Sequence, residues 1–169
     1  MDRPGDPGST RCMSTVTVLV TVAAVLGALS AGVFLAFSTF VVQGLDRNPA
    51  PVAVAAMHGI NATAPHPLFM LPLFGAPLIA LVAAGLALAG DAGVATGWVV
   101  VGVIGHLVPV LMTIGYHIPR NLALDAVPAD GPDAEAAWRR YVREWVPGNH
   151  VRTLGGAVGT VALVLAVAV

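Results

Sequence analysis

The residues of this chain that could do chemistry gather in three short polar segments. These segments read MHGINATAPHP, YHIPRN and NHVRT. Imidazole transfers protons near neutral pH, and amide and guanidinium N–H groups donate hydrogen bonds to anionic oxygen atoms. The three segments supply the candidate site residues, which are His58, Asn61, His117, Asn121, His150 and Arg152.

Other kinds of site find less support in the residue spacing. No pair of residues has the HxxxH or HxxE spacing that sets metal ligands on one helix. The single cysteine, Cys12, has no partner for a disulfide or a cysteine metal cluster. A Gly-x-Ser-x-Gly elbow and a phosphate-binding glycine loop are also absent. We therefore predict no cofactor, while a histidine-bound metal or a haem stays open as an alternative.

The composition indicates a membrane protein. Hydrophobic residues make up 57% of the 169 residues and charged residues 10%, against roughly 25% charged residues in soluble domains. The apolar residues form uncharged runs of about the 20 residues that a helix needs to span a bilayer. The chain has no lysine and a net charge of -1, which excludes a basic surface for nucleic acid. We predict four membrane spans, at about residues 15–42, 68–89, 94–116 and 153–169.

These spans must position the polar segments. We predict an all-α, integral membrane, up-down-up-down four-helix bundle, formed by a single domain (15–169) behind a disordered polar leader (1–14). A cleaved signal peptide is the alternative for the first apolar run, which is much longer than the core of such a peptide. Four crossings put both termini on one side and the two longer loops, 43–67 and 117–152, on the other. We call this second end the loop face, and all three polar segments reach it.

The loop before the last span contains an amphipathic segment at about residues 133–146. Its apolar residues fall on one helical stripe, consisting of Ala134, Trp138, Tyr141, Val142 and Trp145. The charged residues lie on the other faces, with i,i+4 pairs predicted for Glu135 with Arg139 and for Arg140 with Glu144. We predict an additional interfacial helix that lies on the membrane surface with this stripe against the bilayer.

The distribution of arginine predicts an orientation in the cell membrane. Six of the eight arginines lie on or near the loop face, whereas Arg3 and Arg11 precede the first span. Basic loop residues are enriched on the cytoplasmic side of membrane proteins. The loop face is therefore predicted to be cytoplasmic.

A polar track is predicted to lead from the loop face into the third span. His106, Thr113 and His117 share one stripe of that helix, with His106 about three turns deeper. The alternative is that His106 is buried and bonded to a backbone carbonyl that Pro109 leaves free.

Three motifs make the chain resemble the anthrone oxygenase-like family of small four-span membrane proteins. These are Met-x-x-Ile-Asn (57–61) before the second span, Ile-Pro-x-Asn (118–121) after the third, and Trp145 followed by Asn-His-Val-Arg-Thr (149–153). The likeness covers about residues 16–169. The chain departs from the expected pattern at His58, where glutamine is expected, and at Arg120, which precedes Asn121.

For its fungal polyketide-pathway members, the resemblance implies oxidation of an anthrone to an anthraquinone by O2 without an obvious cofactor. An anthrone has an acidic methylene group, so the reaction needs a base and donors for an oxyanion. The resemblance implies His117 or His150 as the base, and Arg152, Asn61 and Asn121 as the oxyanion donors. The expected partners are the lipid bilayer and a flat apolar substrate that enters from it.

Two further classes of function stay open. A small-solute or proton transporter would use the polar track, although the chain shows no inverted repeat and no carboxylate inside a predicted span. Such a pore requires several copies, and a homo-oligomer is compatible with the sequence. A non-catalytic membrane scaffold subunit would instead depend on the amphipathic helix for complex formation.

Overall fold

The computed structural model describes residues 14–90 and 93–169, which form helices joined by short turns. Four of these helices are long and apolar enough to cross a membrane, so the predicted all-α class with four spanning helices is confirmed. The helices are α1 (Thr15–Asp46), α2 (Ala50–Thr63), α3 (Pro67–Ala89), α4 (Thr96–Asp125) and α5 (Ala134–Ala168). Apart from Ser14, the predicted leader lies outside the described residues, as does Cys12.

Local chemistry sets where the helices begin. The Ser14 side chain accepts a hydrogen bond from the Thr17 backbone N–H at 3.1 Å and caps α1. At α3 the same role falls to His66, whose Nδ1 accepts from the Leu68 backbone N–H at 3.2 Å. Pro67 follows at the first helical position, where a missing N–H costs nothing and the fixed φ angle suits the helix.

The spanning helices pack as a ring, with α1 and α4 each in contact with α3 and α5. Glycine lets α4 and α5 approach closely, because a Cβ at Gly105 would lie only 2.5 Å from the Cα of Gly159. The half of the bundle away from the loop face, which we call the far half, has a core of small and branched apolar residues. Its fully buried members include Val20, Ala23, Ala80, Ala83, Val99, Leu163 and Ala166. The alternation of helix directions and the cytoplasmic side of the loop face stay predictions.

The predicted interfacial helix is not a separate element. It continues into the last span as the 35-residue helix α5, about 52 Å long at 1.5 Å per residue. Pro147 lies inside this helix without ending it. A proline removes one backbone hydrogen bond, and packing on both sides of the position holds the helix together.

The aromatic stripe of α5 faces protein, which corrects the prediction that it faces the bilayer. Trp138, Tyr141 and Trp145 are 3 to 5% exposed and pack against α2 and the end of α4. Of the predicted ion pairs, Glu135 with Arg139 is confirmed at 3.3 Å. The predicted Arg140–Glu144 pair is wrong, because Glu144 pairs with Arg120 at 3.2 Å instead.

These contacts form a second core at the loop face, which we call the cap. α1 and α4 have 32 and 30 residues, so each is longer than a hydrocarbon layer of about 30 Å requires. Their extra turns end at Asp46 and Asp125 and pack with α2 and the first half of α5. The cap therefore joins one end of α1, α4 and α5 above the far half.

Candidate functional site

A cavity of about 550 Å³ lies at the junction of the cap and the bundle. Each of the five helices contributes to its wall. The wall is mostly apolar, with Val33, Phe34, Phe37, Met57, Ile60, Phe69, Met70, Phe74, Ile118, Leu122 and Trp145 among its residues. The polar and charged side chains on the wall are Asn61, Thr63, Thr113, His117, Asn121, Asp125 and Arg152. A large apolar pocket with a few convergent polar groups is the usual form of a small-molecule site.

His117 lies in a π-helical turn of α4, Thr113–His117, a kind of turn that often occurs at functional sites. Its Nδ1 is 3.0 Å from the Met112 carbonyl oxygen. Because a carbonyl only accepts hydrogen bonds, this bond places the proton of the neutral ring on Nδ1 and leaves a lone pair on Nε2. Nε2 is buried and makes no hydrogen bond within the described residues, and the Trp145 backbone carbonyl also lies near the ring. His117 is thus a buried imidazole whose bond to Met112 favours the tautomer that a general base needs.

Arg152 is buried on the cavity wall, with 6% of its surface exposed. Its Nε and Nη2 donate to Asn149 Oδ1 at 3.1 and 2.7 Å, and its Nη1 donates to Thr113 Oγ1 at 3.2 Å. The guanidinium carbon lies 4.4 Å from the centre of the Phe34 ring and 5.0 Å from that of Trp145. The guanidinium is therefore held by neutral groups and aromatic faces.

Asn149 fixes the position of Arg152 from the α1 side. Its Nδ2 donates to the Phe34 carbonyl at 2.7 Å and to Ser38 Oγ at 2.8 Å. These two bonds turn Oδ1 of the same amide toward the guanidinium. Ser38 belongs to the π-helical turn of α1, Phe37–Val41, so a π turn supports each side of the cavity.

Trp145 organises the other polar groups. Its ring lies 5.0 Å from that of His117, nearly perpendicular, and 5.0 Å from the Arg152 guanidinium carbon. The His117 ring and the Arg152 guanidinium are therefore within about 10 Å of each other, with the Trp145 indole close to both. The indole Nε1 donates to Asn121 Oδ1 at 3.0 Å, and the Tyr141 hydroxyl donates to the same oxygen at 2.9 Å. With Oδ1 taken by two donors, Asn121 presents its NH₂ group, which has no acceptor among the described residues.

Asn61 and Asp125 form a second polar pair on the wall. The Asn61 Nδ2 donates to Asp125 Oδ1 at 2.9 Å, and Asp125 is exposed. Asp125 is eight residues, about 12 Å of helix, beyond His117 toward the cap. This pair lies at the loop-face end of the cavity, which we call the mouth and which is distinct from its side, whereas Arg152 and His117 lie deeper.

Four of the six residues proposed from the sequence thus line one cavity, namely Asn61, His117, Asn121 and Arg152. The other two do not line it. His58 Nε2 is 3.1 Å from the Leu124 carbonyl oxygen and ties α2 to α4, while His150 is exposed on the outer face of α5. The deeper His106 is buried and packs against Gly27, and its Nε2 has no partner within the described chain, so the bond to a freed carbonyl in the alternative reading is not observed.

Exposed apolar residues of α3 and of the end of α4 line one side of the cavity. α3 packs along the Thr96–Met112 part of α4 but makes no extensive contact with the turns that follow. Phe74, Ile118 and Leu122 line the cavity and are 41%, 44% and 63% exposed, as apolar residues at a lipid-facing rim would be. Arg152 lies sixteen residues, about 24 Å of helix, from the end of α5. This distance is shorter than a hydrocarbon layer of roughly 30 Å.

The residues of the cavity do not form a metal-binding group. Within residues 14–90 and 93–169, no three His, Cys, Asp or Glu side chains come close enough to hold a metal ion. The prediction that the protein works without a cofactor stays a prediction.

The sequence reasoning did not propose several residues that position the site. The sequence predicts Trp145 at the membrane surface, Thr113 on the polar track and Asn149 only as a member of the third polar segment, and it predicts no role for Ser38. Helical periodicity offered a signal for Asn149, because residues 149 and 152 share the inward face of α5 while His150 points away.

Comparisons with known proteins agree with this description. Residues 66–162 match the anthrone oxygenase family, a region that contains His117, Asn121, Trp145 and Arg152. Comparison with curated proteins and comparison with solved structures each gave no match. The family match covers more than half of the chain, and the protein therefore belongs to the anthrone oxygenase family.

Proposed function

We propose that this protein is a membrane-embedded oxygenase that oxidises a flat phenolic or anthrone-type substrate with O2. The observation that carries the proposal is the pairing of a buried base, His117, with a buried cation, Arg152, on the wall of an apolar cavity. Family membership supports an oxygenase-like role.

The cavity fits a small aromatic substrate. Its volume of about 550 Å³ lies inside the range of roughly 300 to 1,000 Å³ that is typical of small-molecule pockets. Phe34, Phe37, Phe69, Phe74 and Trp145 surround the space with aromatic surface. Aromatic rings pack well in offset or edge-to-face contact with a flat polycyclic ligand. Such a ligand dissolves in the bilayer and reaches the cavity through its lipid-facing opening.

In the first step, His117 Nε2 removes a proton from the acidic methylene carbon. The electron pair of the broken C–H bond moves into the ring system, and the negative charge collects on the substrate oxygen opposite that carbon. The unused N–H groups of Arg152 and the NH₂ of Asn121 would donate to this oxygen. Preformed donors in a water-poor site stabilise a developing anion strongly.

In the second step, the electron-rich anion passes one electron to O2, and the resulting carbon radical and superoxide combine to form a C–O bond. The histidinium returns its proton to the peroxide oxygen. Loss of the remaining hydrogen on that carbon, with cleavage of the O–O bond, gives a carbonyl group and water. One oxygen atom ends in the quinone and the other in water, which contains both hydrogens of the methylene group.

The far half of the bundle favours a binding site over a transport path. Below the cavity, the described core is closed by fully buried apolar side chains from all four spanning helices, among them Val20, Ala83, Val99 and Leu163. A solute that enters from the loop face or from the bilayer therefore meets a packed floor in this conformation. A pore between several copies of the chain would need a different path.

The test is O2 uptake by detergent-purified protein in the presence of an anthrone. His117→Ala is expected to lower the rate by about 100-fold or more, because it removes the base. Arg152→Ala is expected to lower the rate by a similar factor through loss of the oxyanion partner. Unchanged rates in both variants would contradict the proposal.

The matched control is His150→Ala. This variant also removes one histidine, but the His150 side chain is exposed and lies outside the cavity. We expect its rate to stay within about twofold of the unmodified protein. A loss as large as that of His117→Ala would move the base to the exposed face of α5 and away from the cavity. Metal analysis of the same preparation tests the predicted absence of a cofactor.

A further inference from the structure

The positive charge of Arg152 is buried without a carboxylate to neutralise it. The described chain contains two carboxylate salt bridges, Arg120–Glu144 and Arg139–Glu135, and neither includes Arg152. Its hydrogen-bond acceptors are the neutral oxygens of Asn149 and Thr113. A charge at membrane depth is costly unless it is paired, and such charges usually mark a functional site.

The surroundings orient this charge but leave it with donors to spare. A guanidinium has five N–H donors, and the three bonds to Asn149 and Thr113 leave two of them uncommitted. The faces of the Phe34 and Trp145 rings stabilise the cation partly. Neither ring can accept the in-plane N–H groups as an anionic oxygen can. The site is therefore built to receive two hydrogen-bond acceptors of negative charge.

The charges along the cavity give it a direction. Arg152 lies at depth, next to the neutral His117, and the carboxylate of Asp125 lies at the mouth. These are the titratable groups that line the cavity in the described structure. An anionic group at the mouth is repelled by Asp125 and attracted by Arg152, so a ligand with one charged end would hold that end inward. The apolar rim of Phe74, Ile118 and Leu122 would then contact the rest of the ligand.

We propose that the cavity is an anion-selective site for membrane-dissolved acids, which binds an ionised oxygen acid at Arg152 with its apolar body toward the lipid-facing opening. The inference rests on the proposed function for the location of the site, and it adds the charge state of the ligand. Two sources share this chemistry, a flat aromatic acid or phenolate and a free fatty acid of the bilayer. Binding requires neither O2 nor turnover, and fatty acids compete with the oxidised substrate for Arg152.

The first arm of the test compares two flat ligands of the same shape. The protein in phosphatidylcholine nanodiscs is titrated under argon with 9-anthracenecarboxylate and with its neutral amide, and energy transfer from tryptophan to anthracene reports binding. We expect the carboxylate to bind at least tenfold more tightly than the amide. Equal affinities would overturn the proposal.

Variants then assign the preference to one side chain. Arg152→Gln should lower the affinity for the carboxylate at least tenfold and leave the affinity for the amide within about twofold. Arg152→Lys, which keeps the charge, should retain part of the preference and thus shows that loss of binding is not loss of the fold. Arg143→Gln removes an exposed charge from the same helix, outside this cavity, and should change neither affinity. A preference that survives Arg152→Gln would contradict the proposal.

The second arm addresses the other source of acid. Palmitate is expected to displace 9-anthracenecarboxylate from the protein, whereas hexadecanol, of the same chain length without a charge, is not. Displacement by both compounds, or by neither, would overturn the proposed preference of the site for an ionised fatty acid over a neutral alcohol. Because no arm involves oxidation, a protein that binds acids selectively but consumes no O2 would contradict the proposed function and leave this inference standing.

Discussion

The far half of the bundle and the half that contains the cavity, which we call the loop-face half, differ in how the same four helices pack. In the far half, small residues such as Ala23, Ala80 and Gly159 let the helices approach until almost no space remains. In the loop-face half, Phe34, Phe37, Phe69 and Trp145 hold the helices apart and leave a cavity of about 550 Å³. The far half is therefore closely packed, whereas the candidate site residues and the cavity lie in the other half.

The largest effect on stability is expected from a bulkier side chain in the far half. Gly105→Val would place a side chain against the backbone of Gly159, where even a Cβ would lie 2.5 Å away. Since α4 and α5 cannot separate without losing the packing of both, we expect a loss of at least about 3 kcal/mol of stability and little folded protein. Size-exclusion chromatography and thermal unfolding in detergent measure the effect.

The control is Gly32→Ala on α1, where an added Cβ meets nothing within 4 Å. This variant should unfold within a few degrees of the unmodified protein. If Gly105→Val also unfolds there, the far half is more loosely packed than the distances indicate.

In the loop-face half, two variants of Asn121 separate its structural role as acceptor for Tyr141 and Trp145 from its proposed role as a donor to the substrate oxyanion. Asn121→Asp keeps oxygen acceptors for Tyr141 and Trp145, so its stability should change little. It replaces the cavity-facing NH₂ group with an acceptor that repels an oxyanion, and the rate of oxidation should fall by about 100-fold. Asn121→Leu leaves both donors without an acceptor and should also lower stability by about 1 to 3 kcal/mol.

Rates of O2 uptake and thermal unfolding curves for the two variants distinguish these effects. An Asn121→Asp protein with full activity would show that the amide N–H groups are not needed. An Asn121→Asp protein that fails to fold would show that the amide is chiefly structural.

The smallest expected effect concerns His58, a candidate site residue that lies outside the cavity. His58→Ala removes the bond to the Leu124 carbonyl and should cost about 1 kcal/mol of stability, with activity within about twofold. His58→Gln keeps a donor for that carbonyl and should recover most of the stability. Thermal unfolding and O2 uptake of both variants show whether His58 serves the structure of the cap or the reaction in the cavity. A large loss of activity in His58→Gln would indicate a role in the reaction.

The fold could be predicted from the sequence to the extent that it depends on length and charge. Uncharged runs of sufficient length define spanning helices, because hydrocarbon admits few other structures. The fate of the Trp138 and Trp145 stripe could not be predicted in this way. An amphipathic pattern identifies a buried face, but protein and lipid can both bury it, and here α2 and α4 do so.

The candidate site was predicted in part for a similar reason. Connectivity brings Asn61, His117, Asn121 and Arg152 to one end of the bundle, which the cavity reflects. Connectivity gives no information on which side of a helix a residue lies. For this reason the candidate site residues also include His58 and His150, whose side chains do not line the cavity. The π-helical turn at Thr113–His117 also shifts the phase of α4, so a regular helical wheel drawn from His106 does not give the direction of His117.

The lipid-facing opening that we propose for the cavity has a kinetic consequence. A ligand that arrives through the gap between α3 and the end of α4 is drawn from the hydrocarbon layer, so its effective concentration is its mole fraction in the membrane. Added lipid would then dilute the substrate even when the amount per volume of water is constant. For the proposed oxygenase, the bilayer would be the reaction solvent, and a substrate of low solubility in water would be supplied at high local concentration.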